Sequence, residues 1–583
     1  MFLKQAYKAV AIVLKFAPAE ASLKIAQRVL MATLTPLAIY FTQRLIDASV
    51  LYIGGNAGGQ AVVLWCGLLL FTMFFRTTDS FFDGITGISV SRKLNAKFTP
   101  VIVEKFRKLD YANFEDKDTQ DTIKRMSNEP QRFLQGTYTS ALACTSLFVV
   151  IVISSLIFAQ VSVWFMLGFI LLIFPMVWFD FKSQSISHKL WYEQSSEERR
   201  LDYLGGLLSG KEPALELKIF GASGYISDKW RKKSETVLNE RLKTAIYAQR
   251  FAFASTLLFK AWTVFLVIYL VNAVIAQNIS IGLFTALITS IATVIHATEN
   301  LSRLLQYAKR ATLLIDHYDI FLKMGEMPEN SGGENLASPR IAFENVTFRY
   351  PKTDRTILNG ISFEIGAGER VSLVGENGAG KSTVIKLLCR LYRPDSGRIL
   401  INGIDINDLS NKQLCGVFSV VFQDFCNYSL TLRENVAFGD LSKMDCNEEL
   451  ESALKQGLWV NDDIGLDTPL GKLEEGGVDL SGGQWQRVAI ARACLAPSAF
   501  VILDEPAASL DPVAESEMYK SFSEVLRSRG CIMISHRLAS AKMADKIIVI
   551  GEGVVKEQGS HTQLMENGGL YAEMFSAQSA WYV

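Results

Sequence analysis

Six stretches of this chain are too long and too apolar for an ordinary soluble domain, and that excludes most folds at once. They run near Ala21–Val50, Gln60–Ser89, Phe133–Gln160, Val161–Phe181, Arg250–Gln277 and Ile279–Arg303. Each reaches the ~20 residues that a helix needs to cross a bilayer. In hydrocarbon every backbone N–H and C=O must be satisfied within the protein, so such segments cross as helices. Several exceed the required length, which predicts helices that continue into water.

Lysine and arginine assign the orientation. The connections Asp47–Gly59, Phe158–Ser162 and Asn272–Ser280 contain neither residue, whereas Ser91–Arg132 and Lys182–Gln249 are rich in both. Basic residues stay on the cytoplasmic side, so both long connections, the N-terminus and everything after the sixth span are predicted to be cytoplasmic. Met1–Phe16, with Lys4, Lys8 and Lys15 among apolar residues, reads as an amphipathic interfacial helix rather than a cleavable signal peptide. Two cytoplasmic stretches, Phe114–Asp121 and Leu215–Trp230, mix acidic residues with aromatic and apolar anchors. Docking of another domain and ordinary helix packing both explain that mixture.

Composition separates the two halves. The 583 residues are 49% hydrophobic, and mean hydropathy is +0.20. The excess lies before about Leu322; the remainder has the alternation of short apolar runs and helical runs of a soluble α/β domain. The 59 basic and 59 acidic residues cancel, which argues against nucleic acid as a partner. The eight cysteines show no C-x-x-C spacing and are read as free thiols.

The second half carries an ordered set of phosphate-handling elements. Gly375-Glu376-Asn377-Gly378-Ala379-Gly380-Lys381-Ser382, followed by Thr383, lies between the apolar run Arg370–Val374 and a helical run. Its glycines admit backbone N–H groups around phosphate oxygens, and the following helix offers its positive end. Lys381 would reach the β- and γ-phosphates, and Ser382 would ligate Mg²⁺. Asp504 ends a buried apolar run, where it would hold Mg²⁺ through water, and Glu505 is the candidate to activate the attacking water. Gln423 after one apolar run offers an amide to Mg²⁺ or water, and His536 after another would approach a γ-phosphate. Leu480-Ser481-Gly482-Gly483-Gln484 precedes a helix and forms a second anion-binding helix end without a lysine. Two such ends in one chain suggest that two chains share nucleotides. Tyr350, closing the strand Ile341–Tyr350, either stacks on a base or packs its own strand.

These residues together resemble the ABC transporters, and the full length is similar to half-transporters of the B-type exporter group. Gly375–Ser382 resembles the Walker A motif, Leu480–Gln484 the ABC signature, Asp504 the end of Walker B, Gln423 the Q-loop, Ser509-Leu510-Asp511 the D-loop and His536 the switch histidine. Tyr350 matches the aromatic that stacks on adenine. The resemblance implies a multi-domain fold: an all-α six-helix transmembrane domain over residues 1–320, a linker over 321–338 and an α/β P-loop NTPase domain, the ABC nucleotide-binding domain, over 339–583. It implies coupling helices near 112–122 and 213–226, ATP and Mg²⁺ as ligands, and a dimer in which Ser481 and Gly483 of one chain face Lys381 of the other. Glu475 matches a glutamate that contacts those coupling helices, although Gly476 stands where an arginine is common. No degenerate site forces a heterodimer, so a homodimer is favoured. A bacterial inner membrane is the expected location.

Cargo is less legible. Val-Phe-Gln-Asp-Phe, Ser-Gly-Gly-Gln-Trp-Gln and Leu-Lys-Ile-Phe-Gly resemble the peptide/lantibiotic-like and multidrug exporters. Arg76, Asp79 and Asp83 share one face of the second span, and His296, Glu299, Asn300 and Arg303 one face of the sixth. They mark either a polar cavity wall, with Arg76, Asp79, His296, Glu299 and Arg303 as candidate cargo contacts, or ion pairing between helices. An exporter of a peptide or an amphipathic compound is the reading; an importer of the same architecture and a lipid flippase are its rivals.

Overall fold

A computed structural model describes residues 2–55, 58–128, 130–161, 163–327, 333, 336, 338–461, 463–506, 529–534 and 538–579. The chain divides into two compact units: Met1–Arg107 with Asp121–Lys323, and Lys108–Gln120 with Met324–Val583. The short segment between the second and third spans thus belongs to the ATPase unit rather than to the helical one.

Among the described residues of the helical unit, five helices are long and apolar enough to cross a membrane, including Pro18–Ile53, Pro130–Phe158, Ser223–Ile275 and the second-span helix that begins at Gln60. Helix Val163–Glu193 occupies the predicted fourth span. The sixth helix runs Ile281–Lys323, with its apolar span at Ile281–Thr298. The fifth helix begins at Ser223, well before the predicted Arg250. No proline or capping break separates the charged, solvent-facing stretch from the apolar one, so the helix simply continues.

Small and polar residues join these helices. Gly282 packs so closely that a Cβ would strike the Gln43 carbonyl oxygen and the Asp47 carboxylate. Asp47 in turn accepts the Gly282 N–H at 3.0 Å, which satisfies a donor at the start of the sixth helix. The amphipathic helix Phe2–Phe16 buries Ala6, Ala9 and Val13 on one face.

The ATPase unit is built on two sheets. Strands β1 (Ile341–Arg349), β2 (Thr356–Ile365), β4 (Ser396–Ile401) and β5 (Ile404–Asp405) form an antiparallel sheet in the order β2-β1-β4-β5. The second sheet contains β3 (Arg370–Val374), β6 (Phe418–Val421), β7 (Phe500–Asp504), β8 (Gly530–Ile534), β9 (Lys546–Gly551) and β10 (Val554–Gly559), in the order β10-β9-β3-β8-β7-β6. All its pairings are parallel except that of the edge strand β10. Every residue of β7 and β8 is buried, which is why both read as unbroken apolar runs rather than alternating ones.

Candidate functional site

Parallel strands place their carboxyl ends along one edge, and connections leaving that edge form the site of such sheets. Register brings the relevant ends level: Leu373 of β3 pairs with Ile534 of β8, Ile534 with Asp504 of β7, and Val421 of β6 with Leu503. Residues separated by more than a hundred positions therefore meet. Gly375–Ser382 follows β3, Gln423 follows β6, and Glu505 follows β7.

A cavity of about 670 Å³ lies there, lined by Tyr350, Asn377, Lys381, Ser382, Gln423 and Glu505 among others. The Gly-rich loop is shaped by backbone that only glycine tolerates. Gly380 has φ +104°, and at Gly375 a Cβ would collide with the Ile550 carbonyl oxygen. Lys381, 6% exposed, donates to the carbonyls of Gly375 and Glu376, both at 2.8 Å. Burial lowers its pKa, while Glu505 and Asp504 pull it back up. A largely desolvated ammonium that donates to two carbonyls is poised to exchange them for an anion.

The carboxylates have distinct settings. Asp504 is buried, and its Oδ1 lies 3.4 Å from Ser382 Oγ, as that hydroxyl's acceptor. Glu505 sits at the cavity, where its Oε2 accepts from Gln423 Nε2 at 3.2 Å. Its φ of +52° is a left-handed value rare for a non-glycine residue, and its N–H donates to the Ile534 carbonyl at 3.0 Å. Such conformations are costly and recur at functional positions. Tyr350 lines the same cavity with its hydroxyl 3.1 Å from Thr383 Oγ1.

Ser481 caps the helix Gly482–Leu495: its Oγ accepts the Gln484 N–H, and the Gln484 side chain accepts the Ser481 N–H at 2.8 Å. Ser481 and Gly482 are exposed, and neither they nor Gly483 and Gln484 line the cavity at Lys381. His536 and the Ser509-Leu510-Asp511 segment lie outside the described residues. Arg355 and Ile357 also line the cavity, and no sequence motif marked them.

In the helical unit Asp79 and Asp83 face the first span. Asp79 Oδ1 accepts from Gln27 Nε2 at 3.0 Å, and Asp83 Oδ1 pairs with Lys24 at 2.8 Å and Arg28 at 2.7 Å. Lys24, Arg28 and Asp83 line a cavity of about 580 Å³ together with Gln135 and Ser140. Arg76, Asp79 and His296 do not line that cavity, and the side chains of Glu299 and Arg303 lie outside the described set. Lys24 and Arg28, one turn apart on the first-span helix, belong to no sequence motif.

The oxygen donors suit Mg²⁺. Ser382 Oγ, Asp504 Oδ1 and the Gln423 amide are hard ligands with a single buried carboxylate, leaving room for waters and phosphate oxygens.

Comparison with known proteins agrees with this geometry. Residues 358–508 match the ABC transporter family model. The chain is 27% identical to the subtilin transport ATP-binding protein of Bacillus subtilis, over 93% of this chain and 89% of that one. It is 28% identical to the ATP-dependent lipid A-core flippase of Bordetella avium, over 90% and 89%. It is 26% identical to the nisin transport ATP-binding protein of Lactococcus lactis, over 93% and 91%. The structure of a bacterial Atm1-family ABC exporter with ATP bound superposes with a TM-score of 0.73 at 25% identity, covering 96% of this chain and 98% of that one. With that ATPase domain fused behind a set of membrane-spanning helices, the chain is an ABC transporter of the exporter type, a multi-pass bacterial membrane protein whose ATPase half lies in the cytoplasm.

Proposed function

We propose that two copies of this chain form a dimer that exports a peptide or an amphipathic compound across the bacterial inner membrane by alternating access. One observation carries the dimer: Ser481 and Gly482 stand exposed, apart from the cavity at Lys381 that they would complete from a second chain. Each ATP then lies between Gly375–Thr383 of one chain and Ser481–Gln484 of the other, with adenine against Tyr350. Lys381 leaves its two loop carbonyls for the β- and γ-phosphates. Ser382, Asp504 and Gln423 would hold Mg²⁺, which would neutralise charge on the phosphate oxygens. Gln423 and Glu505, already 3.2 Å apart, orient the attacking water, and Glu505 takes its proton. His536 completes the set on the γ-phosphate side.

Closure on two ATPs turns the cargo path outward, and hydrolysis resets it. Residues near 112–122 and 213–226 carry the motion between the halves. Peptide cargo is supported by the relatives named for subtilin and nisin transport. A lipid flippase is the second reading, supported by the lipid A-core relatives and by two cations around one carboxylate in the helical unit's cavity. ATPase activity of the protein in lipid, measured against peptides, amphipathic drugs and lipids with Glu505→Gln as blank, separates them. Stimulation by peptides supports export of a peptide. Stimulation confined to phosphoglycolipids would replace it with the flippase reading.

A further inference from the structure

Tyr350 is held by more than its own strand. Its ring meets the edge of Tyr392 at 5.3 Å and 88°, and that of Phe348 at 5.1 Å and 78°. The Lys386 ammonium lies over it, 5.3 Å from the ring centroid, and also over the Tyr392 ring at 5.8 Å. Tyr392 is 5% exposed. Both Lys386 and Tyr392 end on a single carboxylate. Tyr392 donates its hydroxyl to Glu115 Oε2, and Lys386 Nζ donates to Glu115 Oε1 at 3.3 Å. Tyr111 closes the group, edge-on to Tyr392 at 5.8 Å and 90°.

Glu115 and Tyr111 come from Lys108–Gln120, which packs within the ATPase unit although 277 positions separate Glu115 from Tyr392. Lys352 fastens the same segment from the other side, to Asp116 at 2.7 Å and to Asp118. Tyr350 itself lines two cavities, the one at Lys381 and another of about 460 Å³ shared with Asp110, Ala112 and Tyr392. Nothing in the phosphate-handling motifs requires a carboxylate from this distant segment.

We propose that Glu115 is a positioning residue for the nucleotide base. By anchoring Lys386 and Tyr392 it fixes the pose of the Tyr350 ring, and so sets how well a purine is preferred over a smaller base. The inference rests on the reading of Tyr350 as the base-stacking residue. Without the Glu115 charge, Lys386 loses its ionic anchor above two rings and the buried Tyr392 hydroxyl is left with at most a weaker, neutral acceptor. Tyr350 then samples several poses, and base binding must select one of them. Because coupling is reciprocal, a bound base also tightens the hold on Lys108–Gln120.

The test uses the full chain in lipid nanodiscs and equilibrium binding of ADP and CDP, which bind without turnover. Glu115→Gln and Tyr392→Phe are expected to weaken ADP roughly twofold to fivefold, the scale of an aromatic or cation–π contact, and CDP less. In a Tyr350→Ala background Glu115→Gln should have no further effect. If Tyr350→Ala narrows the ADP preference while Glu115→Gln and Tyr392→Phe do not, the positioning role is wrong and stacking stands. If Tyr350→Ala itself leaves the preference unchanged, the stacking reading fails and this inference with it. Equal losses for both nucleotides in both backgrounds would assign Glu115 to fold maintenance alone and overturn the proposal. Should Glu115→Gln fail to fold, Tyr392→Phe, which keeps the ring, decides by the same criteria.

Discussion

The two units distribute their apolar residues differently. In the ATPase unit β7 and β8 are buried at every position, and their apolar runs mark the inside. In the helical unit the second-span helix is long and apolar, yet only 6% of its most apolar window is buried. Phe71, Phe74, Phe81 and Phe82 are all exposed there. What packs inside that unit includes Lys24, Gln43, Thr72, Ser154 and Ser290. Lipid is as apolar as leucine, so hydrophobicity does not drive helix against helix; small residues and polar pairs do. An apolar residue thus predicts burial in the ATPase strands, whereas in the helical unit apolar residues divide between a buried cluster that includes Phe158, Leu270 and Leu287 and an exposed face that includes Phe74 and Phe81.

The largest effect tests the ATPase side at its polar minority. Glu505→Gln should lower hydrolysis by at least about 100-fold, the contribution of a positioned acid–base group, while ADP binding persists. Turnover near normal would show that the proton goes elsewhere. Core substitution gives the direct contrast. Ile532→Ala, in a fully buried strand, should destabilise the ATPase unit by about 2–5 kcal/mol. Phe74→Ala, 65% exposed, should change stability in detergent by no more than about 0.5 kcal/mol. Similar melting shifts for the two variants would break the comparison.

A polar position should matter more than that phenylalanine in the helical unit. Lys24→Met leaves the Asp83 and Thr86 acceptors without their buried donor and should cost about 1–3 kcal/mol. Adding Asp83→Asn should recover part of it. A neutral Lys24→Met would mean that lipid-facing contacts, not this pair, hold the first two spans together.

The smallest effect is electrostatic. Hydrogen bonds from the Arg370 guanidinium hold the Asp545 carboxyl below the usual carboxylate range, with its backbone N–H assisting, and burial opposes them. A carboxyl lowered in the folded state adds stability that is present above its unfolded value, about 3.9, and is lost as pH falls through the folded value. Asp545 is 46% exposed, so solvent screens the pair to less than about 1 kcal/mol. Asp545→Asn should lower the melting temperature slightly at pH 7 and converge with the parent once pH has fallen through the lowered folded value of Asp545. A gap that widens on acidification would reverse the sign.

Much of the site was legible because its chemistry is local. A Gly-rich loop after a strand, a capped glycine helix and a carboxylate closing an apolar run are each written in a few adjacent residues. The helix ends were less legible. The fifth helix reaches back to Ser223 because nothing in its charged stretch breaks it, and hydropathy is silent about helix in water. Asp79 and Asp83 share a helix face in sequence, but only packing showed that this face meets Gln27, Lys24 and Arg28.

The sequence by itself determined that the chain crosses a membrane several times and that its ATPase half faces the cytoplasm, and it marked the candidate phosphate-handling residues. Spacing, charge bias and the needs of a buried backbone decide those locally. Tertiary structure alone decided that Asp504 lies beside Ser382, and that Glu115 reaches Tyr392 and Lys386 beneath Tyr350. Such contacts depend on strand order and on where a distant segment docks, and a single sequence carries no periodic signal for either.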